Sequence, residues 1–191
     1  MNAVDTKTRI SIKNILHATD FSPAAGAALP YVFGLAQRYG ARVHALHVRH
    51  PSPYPIAGPE AMVQIMETLE EQAKLDCESM HEMLAGVPHE VLSTEGDLWP
   101  NIAENLEENN IDLIIIGTRG RTGIGRAVLG SVAEEILRRS PCPVLTVGPH
   151  ISPDSNRRLE MKEILCAVDF SPNLWPRSPT RFLWPKKIRP G

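Results

Sequence analysis

The residues best suited to chemistry lie in Gly117–Ser131, GTRGRTGIGRAVLGS, directly after the apolar run Asp112–Ile116. Gly117, Gly120, Gly123 and Gly125 lack a Cβ, so the backbone there can reach positive φ and approach a ligand closely. Gly130-Ser131 opens a helix, and the unpaired N–H groups and positive dipole end of a helix start suit a phosphate. Ser131 and Glu134 have the spacing of a capping box, and Arg119 and Arg121 can add positive charge. A glycine loop is also an ordinary connector, so position decides. The second chemical residue is Asp20, which follows Asn14–Thr19, NILHAT. A carboxylate at the end of a first strand can accept from a ligand hydroxyl or amine, or help hold a metal on a phosphate. Beside Ser22 it can equally be a helix-start acid.

Several chemistries are excluded by what is missing. GxxxxGK[ST] is absent, and no lysine lies between Gly117 and Pro149. Gly123-Ile124-Gly125 is followed by Val128 where a dinucleotide fingerprint needs its third glycine. Ser131 has no base evident in the sequence, so nucleophilic catalysis has no support. His17, His44 and His47 fall on strand candidates and read as core or edge histidines. The 3 cysteines, Cys77, Cys142 and Cys166, are too far apart for a disulfide framework or zinc site. No metal site made by the protein alone is expected.

These residues need a scaffold of alternating strands and helices. Asn14–Thr19 reads as a buried strand, and Ser22-Pro23 as N-cap and first helical residue. That helix is expected to reach Tyr39 and stop at Gly40, with Pro30 kinking it or shifting its start. Arg42–Val48 alternates Val43, Ala45 and His47 against Arg42, His44 and Leu46, giving a second strand. Residues 50–59 form a proline-rich loop. In Glu60–Ala85 a stripe of Met62, Met66, Leu69, Ala73, Cys77, Met80 and Leu84 predicts a long helix packed on the sheet. Strands at Val87–Glu95, Asp112–Ile116 and Val144–Val147, with helices at Asp97–Asn109 and Val132–Arg139, complete the series. The pattern predicts an α/β fold, a parallel sheet with helices on both faces and right-handed crossovers. If the first and fourth strands are neighbours, Asp20 and the glycine loop face one crevice.

Asn14–Pro23, NILHATDFSP, recurs as Glu163–Pro172, EILCAVDFSP, identical at 7 of 10 positions. The expected organisation is therefore a domain at 1–149, a linker at 150–162, and at 163–191 the truncated start of a second copy with a proline-rich basic tail. After Leu174 the chain carries Arg177, Arg181, Lys186, Lys187 and Arg189 and no acid. The tail is either a remnant or a basic recruitment segment using Trp175 and Trp184.

The 191 residues are 42% hydrophobic and 22% charged, with a formal net charge of −2. This is the balance of a globular chain with a real core, and the basic tail leaves the body acidic. An acidic body argues against nucleic acid as a partner. No signal-like region or membrane span stands out, so a cytoplasmic location is expected.

Strand-ATDFSP, then Gly117-x2-Gly120-x9-Gly130-Ser131, then SPCPVLTV together resemble the universal stress protein family, over about residues 11–149 and again at 162–172. The resemblance implies a Rossmann-like, adenine nucleotide alpha hydrolase-like domain with five parallel strands. It also implies an ATP site, or one for AMP or ADP, with magnesium. Gly117, Gly120, Gly130 and Ser131 would surround the phosphates, with Ile116 and Arg119 beside them and Val132 lending its N–H. Ala18, Thr19 and Asp20 would face the adenosine, Asp20 reaching a nucleotide-bound magnesium, and the Val48 backbone would read the adenine edge. The implied role is a stress-response sensor or regulator, at most a slow ATP hydrolase; the alternative is an interaction module that ignores nucleotide. Single-domain relatives pair through the last strand, which implies a homodimer through Val144–Val147 and further, unidentified protein partners.

Overall fold

In the first strand, β1 (Asn14–Ala18), the residues Ile15, Leu16 and His17 are completely buried. The computed structural model describes residues 10–49, 58–118, 129–148 and Leu165. The chain divides into two units, Ile12–Leu159 and a second made of Met1–Ser11 with Glu160–Gly191. The sheet and its helices belong to the first unit. The repeat at 163–172 and the basic tail lie outside the described residues, Leu165 excepted.

Ser22 caps α1 (Pro23–Gly26), its Oγ accepting from Ala25 N at 3.1 Å. The first helix is two helices, because Pro30 sits in the first turn of α2 (Leu29–Tyr39), where a missing N–H costs nothing. α2 ends at Gly40 with φ 66, the left-handed cap expected of glycine. β2 (Arg42–Arg49) follows, then α3 (Pro59–Met83), β3 (His89–Glu95), α4 (Leu98–Glu108), β4 (Leu113–Gly117), α5 (Ser131–Arg139) and β5 (Val144–Val147). All four strand pairings are parallel, in the order β3-β2-β1-β4-β5. The α/β sheet of five parallel strands is as expected.

Both faces are covered. Ile15, Val43, Ala45 and Ile115 pack with Val32 and Ala36 of α2 and Met80 of α3; Leu16, Leu46, Ile114 and Ile116 pack with Ile102 of α4 and Ala133 and Ile136 of α5. His44 and Leu46 of β2 are as buried as Val43 and Ala45, as befits a parallel strand under helices on both sides. One expectation fails here. The α3 stripe packs only at its end, where Met80 and Leu84 are buried, whereas Met66 and Leu69 are 53% and 52% exposed. The helix of 25 residues is about 37 Å long, and the 8 residues of β2 span about 26 Å. The helix outruns the sheet. Its last turn is tied to β3 by His81 and His89, whose Nδ1 and Nε2 are 3.0 Å apart.

The position of β1 beside β4 is fixed at their amino ends. Asp112, just before β4, accepts from Lys13 N at 2.7 Å and from Asn14 N at 3.1 Å. The register Ile15↔Leu113 to Ala18↔Ile116 then carries both strands to the opposite edge in step. No helix among the described residues is long and apolar enough to cross a membrane.

His17 Nδ1 donates to Ile115 O at 2.9 Å, and its Nε2 is buried with no partner. Burial holds its pKa below the usual histidine value, against a smaller opposing effect of the Ile115 bond. Burial lowers that of His44 too, ahead of Glu90, which raises it, and Arg42, which lowers it. With a folded pKa below the unfolded value of about 6.5, His17 leaves stability unaffected above that pH. Below it, the unfolded chain takes a proton that the folded chain refuses, and stability falls. We expect urea-unfolding stability to decline from pH 7 to pH 5 by up to about 1.4 kcal/mol per pH unit per histidine. His17→Leu should remove one histidine's share of that slope; an unchanged slope would refute the assignment.

Candidate functional site

The carboxyl ends of β1, β2 and β4 bring the chemistry-bearing residues to one edge. At the end of β1, Thr19 to Ser22 turn sharply, and every polar side chain in the turn is used. Thr19 Oγ1 accepts from Phe21 N at 3.0 Å, Asp20 Oδ1 from Ser22 N at 3.0 Å, and Ser22 Oγ from Ala25 N. Side chains that bond to nearby backbone in this way specify a turn. Phe21 itself sits at φ 57, a region that residues with side chains rarely occupy. Asp20 is thus a helix-start acid through one oxygen, and it is the only carboxylate in the turn.

β4 ends at Gly117, and Ala18↔Ile116 is the last paired step before the two loops begin. Thr118 N donates to Val147 O of β5 at 2.9 Å, and Thr118 O accepts from Gly130 N at 2.9 Å. The loop therefore leaves and re-enters the fold at one point. Arg119, Gly120, Arg121, Gly123 and Gly125 lie outside the described residues. α5 begins at Ser131 with Gly130 as N-cap, and no side chain caps it. The expected capping box is corrected: Ser131 is already helical, one position too late to cap, and Glu134 pairs with Arg138. The N–H groups of Ser131, Val132 and Ala133 belong to the first turn, which has no intrahelical acceptors. Ser131 and Val132 are exposed, Gly130 half-buried.

Of the expected site residues, Ala18, Thr19, Asp20, Ile116, Gly117, Gly130, Ser131 and Val132 lie at the adjoining ends of β1 and β4 and the start of α5. Val48 stands on β2, the other neighbour of β1. The edge also carries unsatisfied polarity: Arg49 Nε, Ser93 Oγ and Thr94 Oγ1, near the ends of β2 and β3, are buried with no partner. Such atoms are few in a folded protein and mark places to examine. Sequence reasoning missed His47, whose Nδ1 lies 2.8 Å from Thr19 O. Only the pairing of β2 with β1 makes it a neighbour of the turn.

Among the described residues no three His, Cys, Asp or Glu side chains converge to hold a metal. Cys77 and Cys142 are free thiols; Cys166 lies outside the described residues. No base or acid engages Ser131 Oγ among the described residues. The arrangement offers N–H donors, a dipole end and one turn carboxylate, the groups by which a fold can hold an anion with a polar appendage. It supplies no nucleophile paired with a base.

A family model described as the universal stress protein family matches residues 11–148. Universal stress protein MJ0531 of Methanocaldococcus jannaschii is 33% identical over 140 residues, covering 71% of this chain and 81% of that protein. A universal stress protein of Thermus aquaticus is 35% identical over 136 residues, covering 71% and 98%. Among solved structures, protein MJ0577 of M. jannaschii superposes with a TM-score of 0.64 at 30% identity, covering 75% of this chain and 100% of that one.

The two serines make a stability contrast. Ser22→Ala removes a formed cap and should cost about 1 kcal/mol. Ser131→Ala removes no cap and should stay within about 0.5 kcal/mol of the parent. Urea denaturation of both variants checks this, and an equal loss would restore Ser131 as a cap.

Proposed function

The chain belongs to the universal stress protein family, and from that premise we propose that it binds an adenine nucleotide at the carboxyl edge between β1 and β4. It acts there as a stress-response sensor or regulator. The observation that carries this reading is the pairing of β1 with β4, which sets the Asp20 turn beside the open start of α5. In a parallel sheet of order 3-2-1-4-5, chain winding reverses at that pair, and ligands bind at such a point. Gly117, Gly120, Gly130 and Ser131 surround the phosphates, with the Val132 N–H and Arg119 assisting. Ala18, Thr19 and Asp20 flank the adenosine, Ile116 lies beside the phosphates, and the Val48 backbone reads the base. Magnesium arrives on the phosphates, with Asp20 as the carboxylate the turn offers it. A structure of an Arabidopsis thaliana family member is described with AMP bound; at 20% identity and a TM-score of 0.51 its likeness is one of fold.

Holding fits these residues better than turnover, because none is placed to activate water. β5 lies at an edge of the sheet and offers unpaired backbone groups to a second copy. A cytoplasmic homodimer follows from this reading. One observation favours an interaction role beside it: Val63, Ile65, Met66 and Leu69 of α3 are exposed.

Binding of ATP with magnesium, by titration calorimetry, tests the proposal. Gly130 has φ −63, which any residue adopts, so Gly130→Val should fold and lose affinity at least about tenfold through bulk where the phosphates approach. Asp20→Asn keeps an oxygen for Ser22 N and should weaken magnesium-nucleotide binding. Equally weak binding by all three proteins would leave the interaction role alone standing. Light scattering at tens of micromolar should give a dimer mass; a monomer removes the β5 pairing.

A further inference from the structure

The β1 turn is fastened to β2 at both ends of one residue. Thr19 N donates to Leu46 O at 3.0 Å, and Thr19 O lies 2.8 Å from His47 Nδ1. A carbonyl oxygen only accepts, so Nδ1 carries the proton, and this bond sets both the tautomer and the ring orientation. The other flank of the ring meets Phe21, with centroids 4.7 Å apart and planes inclined by 52°. Phe21 is the residue held at φ 57, a conformation that persists only where surroundings over-determine it. Two such restraints act on it: the Thr19 Oγ1 bond to its N–H and the His47 ring beside its side chain. His47 therefore contacts the turn immediately before and immediately after Asp20. It also directly precedes Val48 along β2.

Resting on the nucleotide-binding reading above, we propose that His47 is a positioning residue of the site. Its Nδ1–H holds the Thr19 carbonyl and so keeps the Thr19–Asp20 turn in the geometry that receives adenosine. Through the backbone of β2 it links that turn to Val48, at the base-reading position. A turn held before the ligand arrives need not be ordered on binding, which raises affinity without any new contact to the ligand. Without the donor, the Thr19 carbonyl loses its partner and the strained Phe21 backbone loses a restraint.

Three substitutions separate the hydrogen bond from the bulk of the ring. Asparagine carries an amide N–H at the same bond distance from Cα as Nδ1, glutamine carries it one bond further, and phenylalanine keeps a ring with no donor. In calorimetric titration with magnesium-ATP, His47→Phe should bind about tenfold more weakly, the effect of one lost hydrogen bond. His47→Asn should stay within about twofold of the parent, and His47→Gln should resemble His47→Phe. Unfolding midpoints without nucleotide are measured alongside, since a purely structural role would shift stability without this order of affinities. If His47→Phe does not fold, the comparison of asparagine with glutamine decides alone. Equal affinities across parent and variants overturn the positioning role and leave the nucleotide site intact. No binding by the parent overturns the nucleotide reading itself, and this inference with it.

Discussion

Everything at the carboxyl edge depends on β1 lying beside β4 in one register. Ninety-three residues lie between Ala18 and Asp112 along the chain, and closing so long a loop carries an entropic cost before any contact rewards it. The Asp112 carboxylate offsets part of that cost by accepting two backbone N–H groups at the entry to β1. Bonds from backbone N–H to a carboxylate are stronger than neutral ones. The buried stack of Ile15, Leu16, Ile114 and Ile115 does the rest. A slip of one residue would turn each of these side chains to the opposite face, and the ends of the two strands would no longer meet in step. Fold and candidate site therefore share one constraint, applied at the amino end of the sheet, opposite the site.

That constraint explains which parts of the fold were legible in the sequence. Ser22, Pro23, Pro30 and Gly40 act through their own backbone geometry, so their roles could be read without knowing the neighbours. The strands of β1 and β4 were legible because a short apolar run between turn signals fits little but a buried strand. The burial of His44 was not: whether a strand histidine lies in the core or at an edge is decided by the helices packed on the sheet, which the local pattern does not contain. The stripe on α3 failed for a related reason. Periodicity shows that a helix has an apolar face; it says nothing about whether the sheet beneath is long enough to cover it.

At the site the same division holds. Asp20 and the glycine-serine pair at 130–131 could be singled out by type and spacing, and the parallel order brings them together. The middle of the glycine loop lies outside the described residues, so the roles of Arg119 and Gly120 rest on sequence alone. His47 was read as a strand histidine, which it is. Its bond to Thr19 O arises from the β1–β2 register, a relation over 28 residues that no local pattern encodes.

The start of α5 turns the failed capping box into an argument about binding. A serine or threonine at the N-cap would place its side-chain oxygen on the N–H of the second or third helical residue. Those are the groups an anion needs. With Gly130 in the cap position and Ser131 displaced into the first turn, that oxygen is missing, and because glycine is itself a tolerable N-cap the helix gives up only a few tenths of a kcal/mol. The start of α1, a helix of only 4 residues, is capped in full by Ser22. The strongly amphipathic α5, of 9 residues, also begins without a side-chain cap. The starts of α2, α3 and α4 also lack a side-chain cap, so an open start does not by itself mark a site; at α5 it leaves N–H groups within reach of an anion, because the same N–H groups cannot serve a cap and a phosphate at once.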